Sequence, residues 1–255
     1  MITVISPAKT LDFDTPSTTS KKSKPIFATR TKSLIDVMRK KSSKDLSKLM
    51  GISQKLAELN VERFQTFGKS SKTSKQALLA FKGDVYMGLE AEKYSEKDLS
   101  FAQKNLRILS GLYGVLKPLD LIQAYRLEMG TRLKTDNYKS LYEFWGEEIG
   151  AALQKELGDH RNNSLINLAS TEYFKSVSAQ SLPGKIITPV FKDYNKGTFK
   201  ILSFFAKRAR GAMATFIIKN RINKPDDIKG FSEDGYAYNE TYSTENQWVF
   251  TRKAT

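Results

Sequence analysis

The sequence predicts a mixed α/β fold: a single domain over residues 1–255, with a mixed β-sheet flanked by helices. Three observations carry that prediction. Short β-rich segments are interspersed with amphipathic helical ones without a regular strand–helix–strand rhythm, which argues against a doubly wound sheet. Hydrophobic residues make up 40% of the 255-residue chain, with 15 Phe, 11 Tyr and 2 Trp, enough apolar surface to offset the chain entropy lost on folding. No internal repeat and no long linker interrupts the pattern.

Taken in order, the β-branched run Ile2–Ile5 is the first strand. Residues 15–24 (TPSTTSKKSK) and 68–74 (GKSSKTS) read as exposed loops, being rich in Ser, Thr and Lys. Between them, residues 44–64 read as helix, tight turn, helix. Ser95 caps a later helix with Asp98 three residues on, and Leu99, Ala102, Leu106 and Leu109 form its buried stripe before Gly114 and Pro118 end it. Phe144, Ile149, Ala152 and Leu153 mark another helix, stopped by Gly158. Strands are expected at Leu165–Leu168, 186–190, 199–204 and 248–251. A helix over 206–222 places Ala209, Ala212, Met213, Phe216 and Ile217 on one face.

Charge narrows the partners. The chain carries 42 Lys+Arg against 27 Asp+Glu, a formal +15, which favours a polyanion, usually nucleic acid. A basic surface kept for solubility gives the same balance. The excess is concentrated: residues 20–48 hold ten Lys/Arg against Asp36 and Asp45, and residues 192–224 hold nine against Asp193 alone. With no cysteine and one histidine, His160 in a hydrophilic loop, the sequence excludes disulfides, thiolate metal sites, Cys nucleophiles and iron–sulfur ligation. No metal or cofactor is expected, and a direct ferrous site would need an all-carboxylate cage in a strongly basic chain. The N-terminal MITVISPAKT has no basic n-region or apolar h-region, and no apolar run approaches the ~20 residues that span a bilayer. These features predict a soluble, cytoplasmic protein with no membrane partner.

Three segments can carry chemistry. In 46–64, Gly51 permits a tight turn and Ser53 can cap the following helix, so backbone N–H groups at a helix N-terminus could meet a phosphate. The pattern resembles the helix-hairpin-helix of DNA repair proteins: Met50-Gly51-Ile52 match the hydrophobic-Gly-hydrophobic hairpin, while Ser53 stands where a second glycine is usual. An ordinary antiparallel helix pair fits the same residues. On the helix after residue 204, Lys207, Arg210 and Arg221 project within about 60° of one another, opposite Met213. They make either a phosphate-gripping face or a solvated one. Residues 167–175 run from a hydrophobic strand into a helix capped by Ser170 or Thr171, with Tyr173 and Lys175 beside a plausible anion pocket. Around these lie Lys9, the 81–86 stretch with Lys82, Asp84 and Tyr86, and the 125–130 stretch with Tyr125, Arg126 and Glu128. A lysine in a dry pocket beside a carboxylate could serve as an amine nucleophile, although structural ion pairs account for the same residues.

The strings ISPAKTLDF, AFKGDVY, LSGLYGVLKPLDLIQAYRLEMG, LYEFWG, INLASTEYFKSV and FFAKRARGAMATFIIKNRI, in this order, resemble the YaaA family of bacterial peroxide stress proteins over residues 1 to about 252. The resemblance implies a cytosolic protein that protects against hydrogen peroxide and iron-driven damage, with links to recombinational DNA repair and its proteins. It implies binding of duplex, bubble or junction DNA, and a mixed α/β fold with a basic cleft and a helix-hairpin-helix. Carried onto this chain, the hairpin element falls on residues 44–64, with Lys48, Gly51, Ile52, Ser53 and Lys55 toward DNA. The cleft would draw on Lys9, Lys82, Arg126, Lys175, Lys207, Arg208 and Arg210. No enzymatic activity is implied.

Two functional expectations follow. One is a DNA-binding stress protein that reads backbone and shape. The alternative is a lysine-dependent enzyme acting on a nucleotide or damaged base. There Lys9 or Lys175 would be the imine-forming amine, Asp84 or Glu128 the general base, and Tyr173 an orienting group. Convergence of Lys9, Asp84, Arg126, Glu128, Tyr173 and Arg208 in one concave pocket would favour the second; scatter would favour the first.

Overall fold

The computed structural model describes residues 1–70, 73–135 and 137–253. At its centre lies β1 (Ile2–Ile5), buried along its whole length. The chain continues through β2 (Thr10–Leu11), α1 (Ala28–Arg39), α2 (Ser43–Met50), α3 (Gln54–Thr66), β3 (Ser74–Gln76), α4 (Ala77–Ala80), β4 (Phe81–Lys82) and α5 (Asp84–Leu89). Next come α6 (Glu96–Asn105), β5 (Leu106–Ser110), β6 (Gly114–Leu116), β7 (Leu121–Gln123), α7 (Leu141–Trp145) and α8 (Glu148–Gly158). The last part comprises β8 (Leu165–Leu168), α9 (Thr171–Phe174), β9 (Ile186–Asn195), β10 (Thr198–Lys200), α10 (Ser203–Lys219), β11 (Ala237–Tyr238) and β12 (Gln247–Arg252).

Eight strands form one mixed sheet in the order β11-β12-β9-β8-β1-β5-β6, with β10 alongside β9. The mixed α/β class expected from sequence is therefore the class observed. β12, β9, β8, β1 and β5 run parallel, whereas β11, β10 and β6 add antiparallel pairings. The buried central strands β1 and β8 are apolar except for Thr3 and Asn167, as suits a parallel sheet covered on both faces. From β1 the chain moves to β5 on one side; from β8 it moves to β9 on the other. β1 and β8 are neighbours in register, Ile5 opposite Leu168. Their outgoing connections diverge, and that divergence opens a crevice beyond the carboxyl ends of the two strands.

Three sequence expectations need correction. Leu106 and Leu109 are not on a helix: α6 ends at Asn105 and the chain passes straight into β5, all five residues of which are buried. A run of apolar residues at that spacing is compatible with either state, and the sheet decides it. The expected strand over 199–204 stops at Lys200, and Ser203 onward is already α10. The single helix marked by Phe144 to Leu153 is two, α7 and α8, parted at Gly146 with φ +48°. The 15–24 stretch is a mostly exposed loop, as expected, and it is tethered to the body: the Gln76 amide donates to the carbonyls of Thr19 and Lys21, and Ser23 bridges to Asp120. Of the other expected loop, residues 71 and 72 lie outside the described residues.

One packing contact sets the geometry of everything that follows. α5 and α10 cross backbone to backbone. A Cβ on Gly211 would sit 1.8 Å from the Val85 carbonyl oxygen, and one on Gly88 would sit 2.0 Å from that of Arg208. Only glycine at both positions allows so close an approach. Thr215 fastens the far end of the crossing by donating to the Leu89 carbonyl at 2.6 Å.

Candidate functional site

The crevice at the ends of β1 and β8 is a pocket of about 490 Å³. Its walls come from separated stretches of chain: residues 6–10 after β1, 82–86 at the start of α5, 125–128 after β7, 170–173 around α9, and the first turns of α10. The two connections that diverge from the sheet are tied together. Ser6 Oγ accepts the Ser170 backbone N–H at 2.8 Å, and Ser170 Oγ in turn caps α9 through the Tyr173 N–H. Ser170 is thus the cap anticipated from sequence.

Five cations and three carboxylates line the pocket: Lys9, Lys82, Arg126, Lys207 and Arg210 with Asp84, Glu128 and Glu172. Glu128 lies between Lys9 Nζ at 2.8 Å and Arg126 Nη2 at 3.1 Å. Asp84, in the first turn of α5, faces Lys207 Nζ at 3.4 Å, and Glu172 accepts the Gly130 N–H at 2.8 Å. Lys82 reaches outward to Asp12 at 3.7 Å. Two arginine groups remain unmatched. Arg126 Nε is buried with no hydrogen-bond partner. Arg210 makes no hydrogen bond or ion pair with another described residue, and burial pushes its guanidinium below the ordinary arginine range. A half-buried guanidinium without an acceptor is costly unless a ligand supplies one.

The apolar part of the wall is Pro7, Ala8, Val85 and Leu127 together with three tyrosines. Tyr86 donates to the Ser6 carbonyl at 3.1 Å, and Tyr125 shares a hydrogen bond with Ser110 Oγ at 2.6 Å. Burial raises the pKa of all three phenols, so they stay neutral. The hydroxyls of Tyr86 and Tyr125 are tied back, which holds those rings in place.

Of the six residues whose convergence was the sequence-level test, Lys9, Asp84, Arg126, Glu128 and Tyr173 line this pocket and Arg208 does not. One step along a helix turns a side chain by 100°, so Lys207 and Arg210 share the pocket face while Arg208 points toward Asp234, 4.0 Å away. The expected grouping of Lys207, Arg210 and Arg221 is broken as well. α10 ends at Lys219, and Arg221, at φ +54°, turns back to Asp98 Oδ1 at 2.7 Å. Lys175 is exposed beyond α9, with Nζ 5.1 Å from the centre of the Tyr142 ring.

Beside the pocket lies a second hollow of about 600 Å³, lined by Lys41, Asp45, Lys48, Glu128 and Arg132 among others. Glu128 belongs to both, so the hollows adjoin at this residue. The second hollow is bordered by α2, which with α3 forms the helix pair expected at 44–64. Gly51 turns the chain at φ +61°, and Ser53 caps α3. The turn is closed internally: both the Gly51 and Ile52 amides donate to the Ser47 carbonyl, and Ser47 Oγ donates to that of Ile52 at 2.6 Å. Amides free for an anion therefore begin at the first turn of α3, near Gln54 and Lys55. Lys48 and Lys55 are exposed.

Sequence reasoning overlooked Glu172, Lys41 and Arg132 as lining residues, and Ser6 as the clasp on Ser170. Ser6 lies within a quoted motif, but only the register of β1 against β8 brings it to Ser170. Among the described residues no group of three His, Asp or Glu side chains is placed to hold a metal ion, and no helix is long and apolar enough to cross a membrane.

Comparison with known proteins gives a consistent result. A family profile described as peroxide stress protein YaaA matches residues 1–242. A UPF0246 protein of Teredinibacter turnerae is 55% identical over 255 residues, covering 99% of this chain and 100% of the relative. A UPF0246 protein of Colwellia psychrerythraea is 52% identical over 255 residues, covering 99% of each.

Proposed function

The chain belongs to the peroxide stress protein YaaA family, and from that premise we propose that it is a DNA-binding protein of the peroxide response. Duplex or distorted DNA lies along the two adjoining hollows. The α2–α3 pair acts as a helix-hairpin-helix that meets one phosphate through the first turn of α3, with Lys48 and Lys55 alongside. The pocket cations take up the neighbouring stretch of strand.

The observation that carries this reading is the unmatched guanidinium of Arg210, facing a pocket beside a lysine-bordered hollow in a chain of net charge +15. Arginine forks suit phosphate oxygens, and the adjoining hollow extends the contact beyond a single anion. The convergence of five of the six named residues in one pocket speaks for the lysine-dependent alternative, but that chemistry also needs a desolvated amine. Lys9 is 63% exposed and engaged with Glu128, which favours binding over imine chemistry.

Fluorescence anisotropy with a labelled duplex, repeated across a salt series, tests the proposal. Each neutralised phosphate contributes a slope of about −0.9 to log K against log salt, so four contacts give about −4. A flat salt response, or no binding at low salt, overturns it.

A further inference from the structure

We infer that the pocket at the ends of β1 and β8 receives a single nucleotide extruded from the strand, with its phosphate on Arg210 and the edge of its base read by Asp84 and Glu128. The inference rests on the DNA-binding reading above and specifies what that DNA puts into the pocket.

The charge pattern is the first argument. A surface that only follows phosphates gains nothing from carboxylates, because each one repels the backbone. Here Asp84 and Glu128 stand among five cations, Asp84 with one oxygen facing Lys207 and Glu128 with its two oxygens on Lys9 and Arg126. Such carboxylates keep lone pairs for the N–H donors of a base edge, which a phosphate lacks. A ligand that satisfies both signs must carry an anion and N–H donors together, and a nucleotide does.

The unmet donors are the second argument. Arg210 has no partner among the described residues and Arg126 Nε has none, although both line the same pocket. Arg126 Nε is buried without an acceptor, and the half-buried fork of Arg210 opens to the pocket with no protein acceptor, where an incoming phosphate can meet it. The third argument is shape. About 490 Å³ lies within the range of small-molecule sites, so the pocket holds one nucleotide and excludes a duplex. Tyr86, Tyr125 and Tyr173 line the pocket with little of each ring exposed, so they give a base a firm edge rather than a broad stacking face. The pocket also sits where connections leave adjacent parallel strands in opposite directions, the place where open α/β sheets bind ligands.

Extrusion costs least where pairing is already broken, so mismatched or bubble DNA is the preferred substrate class. The test uses the full chain and a duplex with two adjacent 2-aminopurines opposite a mismatch. Their long-wavelength circular-dichroism couplet is lost on unstacking, whatever happens to their fluorescence. Anisotropy on the same oligonucleotide reports binding separately. The expected result is loss of the couplet on binding, with the same pair placed elsewhere in the duplex unaffected. In Arg210→Ala and Asp84→Asn the couplet should persist on DNA that is still bound at raised protein concentration. If the wild-type chain binds the DNA and the couplet persists, the inference fails while the DNA reading stands. If the couplet is lost equally in both variants, the base leaves the stack without entering this pocket, and the inference again fails. Absence of binding by anisotropy is the distinct failure of the DNA reading itself.

Discussion

The pocket and the α2–α3 pair meet at Glu128, yet they are built by opposite means. The helix pair is local. Its turn is closed by Ser47, its first helix begins with the reciprocal bonds of Ser42 and Asp45, and its lysines face solvent. The pocket is assembled from stretches as far apart as Ser6 and Arg210, brought together by the sheet and the α5–α10 crossing, and most of its charges already face one another. A local unit presents charge cheaply and adapts to what it meets. A long-range pocket holds charges at fixed separations and so can discriminate.

The sharpest way to break this contrast is through its glycines. Gly211→Ala forces a Cβ into the Val85 carbonyl, a backbone atom that cannot rotate away, and should cost about 3 kcal/mol or prevent folding. Gly51→Ala meets open space and suffers only its positive φ, about 1 kcal/mol. Urea unfolding midpoints give both values, and equal losses would erase the distinction between a locked and an adaptable region.

Binding separates the regions next. Arg210→Ala should leave the unfolding midpoint unchanged or raised, because a half-buried guanidinium with no protein partner is removed, while DNA affinity falls about tenfold. Lys48→Ala and Lys55→Ala should each weaken binding only about two- to threefold, as exposed charges do. Anisotropy titrations at one salt concentration compare them. A larger effect at Lys55 than at Arg210 would transfer the main grip to the helix pair.

Acid gives the smallest and most gradual difference. Hydrogen bonds from the Thr15 backbone and hydroxyl, joined by the charges of Lys75 and Lys82, hold Asp12 down at about 2, below its ordinary 3.8. The Ser42 hydroxyl and backbone lower Asp45 in the same sense. Because the folded-state values lie below the unfolded ones, the stabilisation is complete above pH 3.8. It is lost as pH falls from there through the folded values. Melting temperatures from pH 5 to 2 should fall in the wild-type chain and fall less steeply in Asp12→Asn. An unchanged slope would mean that Asp12 does not carry this dependence.

The same contrast explains what could be read in advance. The helix pair was legible because its signals are neighbours: Gly51 for the turn, Ser53 for the cap, leucines at helical spacing. β1 and β8 were legible as short β-rich runs. At Leu106 and Leu109 the reading failed, because apolar residues buried on every side have no solvent face to reveal their period. Individual pocket residues stood out as polar groups in apolar settings. That Asp84 lies beside Lys207 and Lys9 beside Glu128 depends on strand order, which no local pattern encodes. Arg208 shows the limit most plainly, since it sits next to Lys207 in sequence and faces another part of the surface.

The close crossing of α5 and α10 has a consequence for how this protein can change. With two carbonyls where side chains would normally intervene, the helices form a jaw whose setting depends on main chain alone. Residues 84, 207 and 210 are mounted on that jaw as exchangeable teeth. Selection could alter the ligand by replacing them one at a time without refitting the hinge, whereas neither glycine is open to trial.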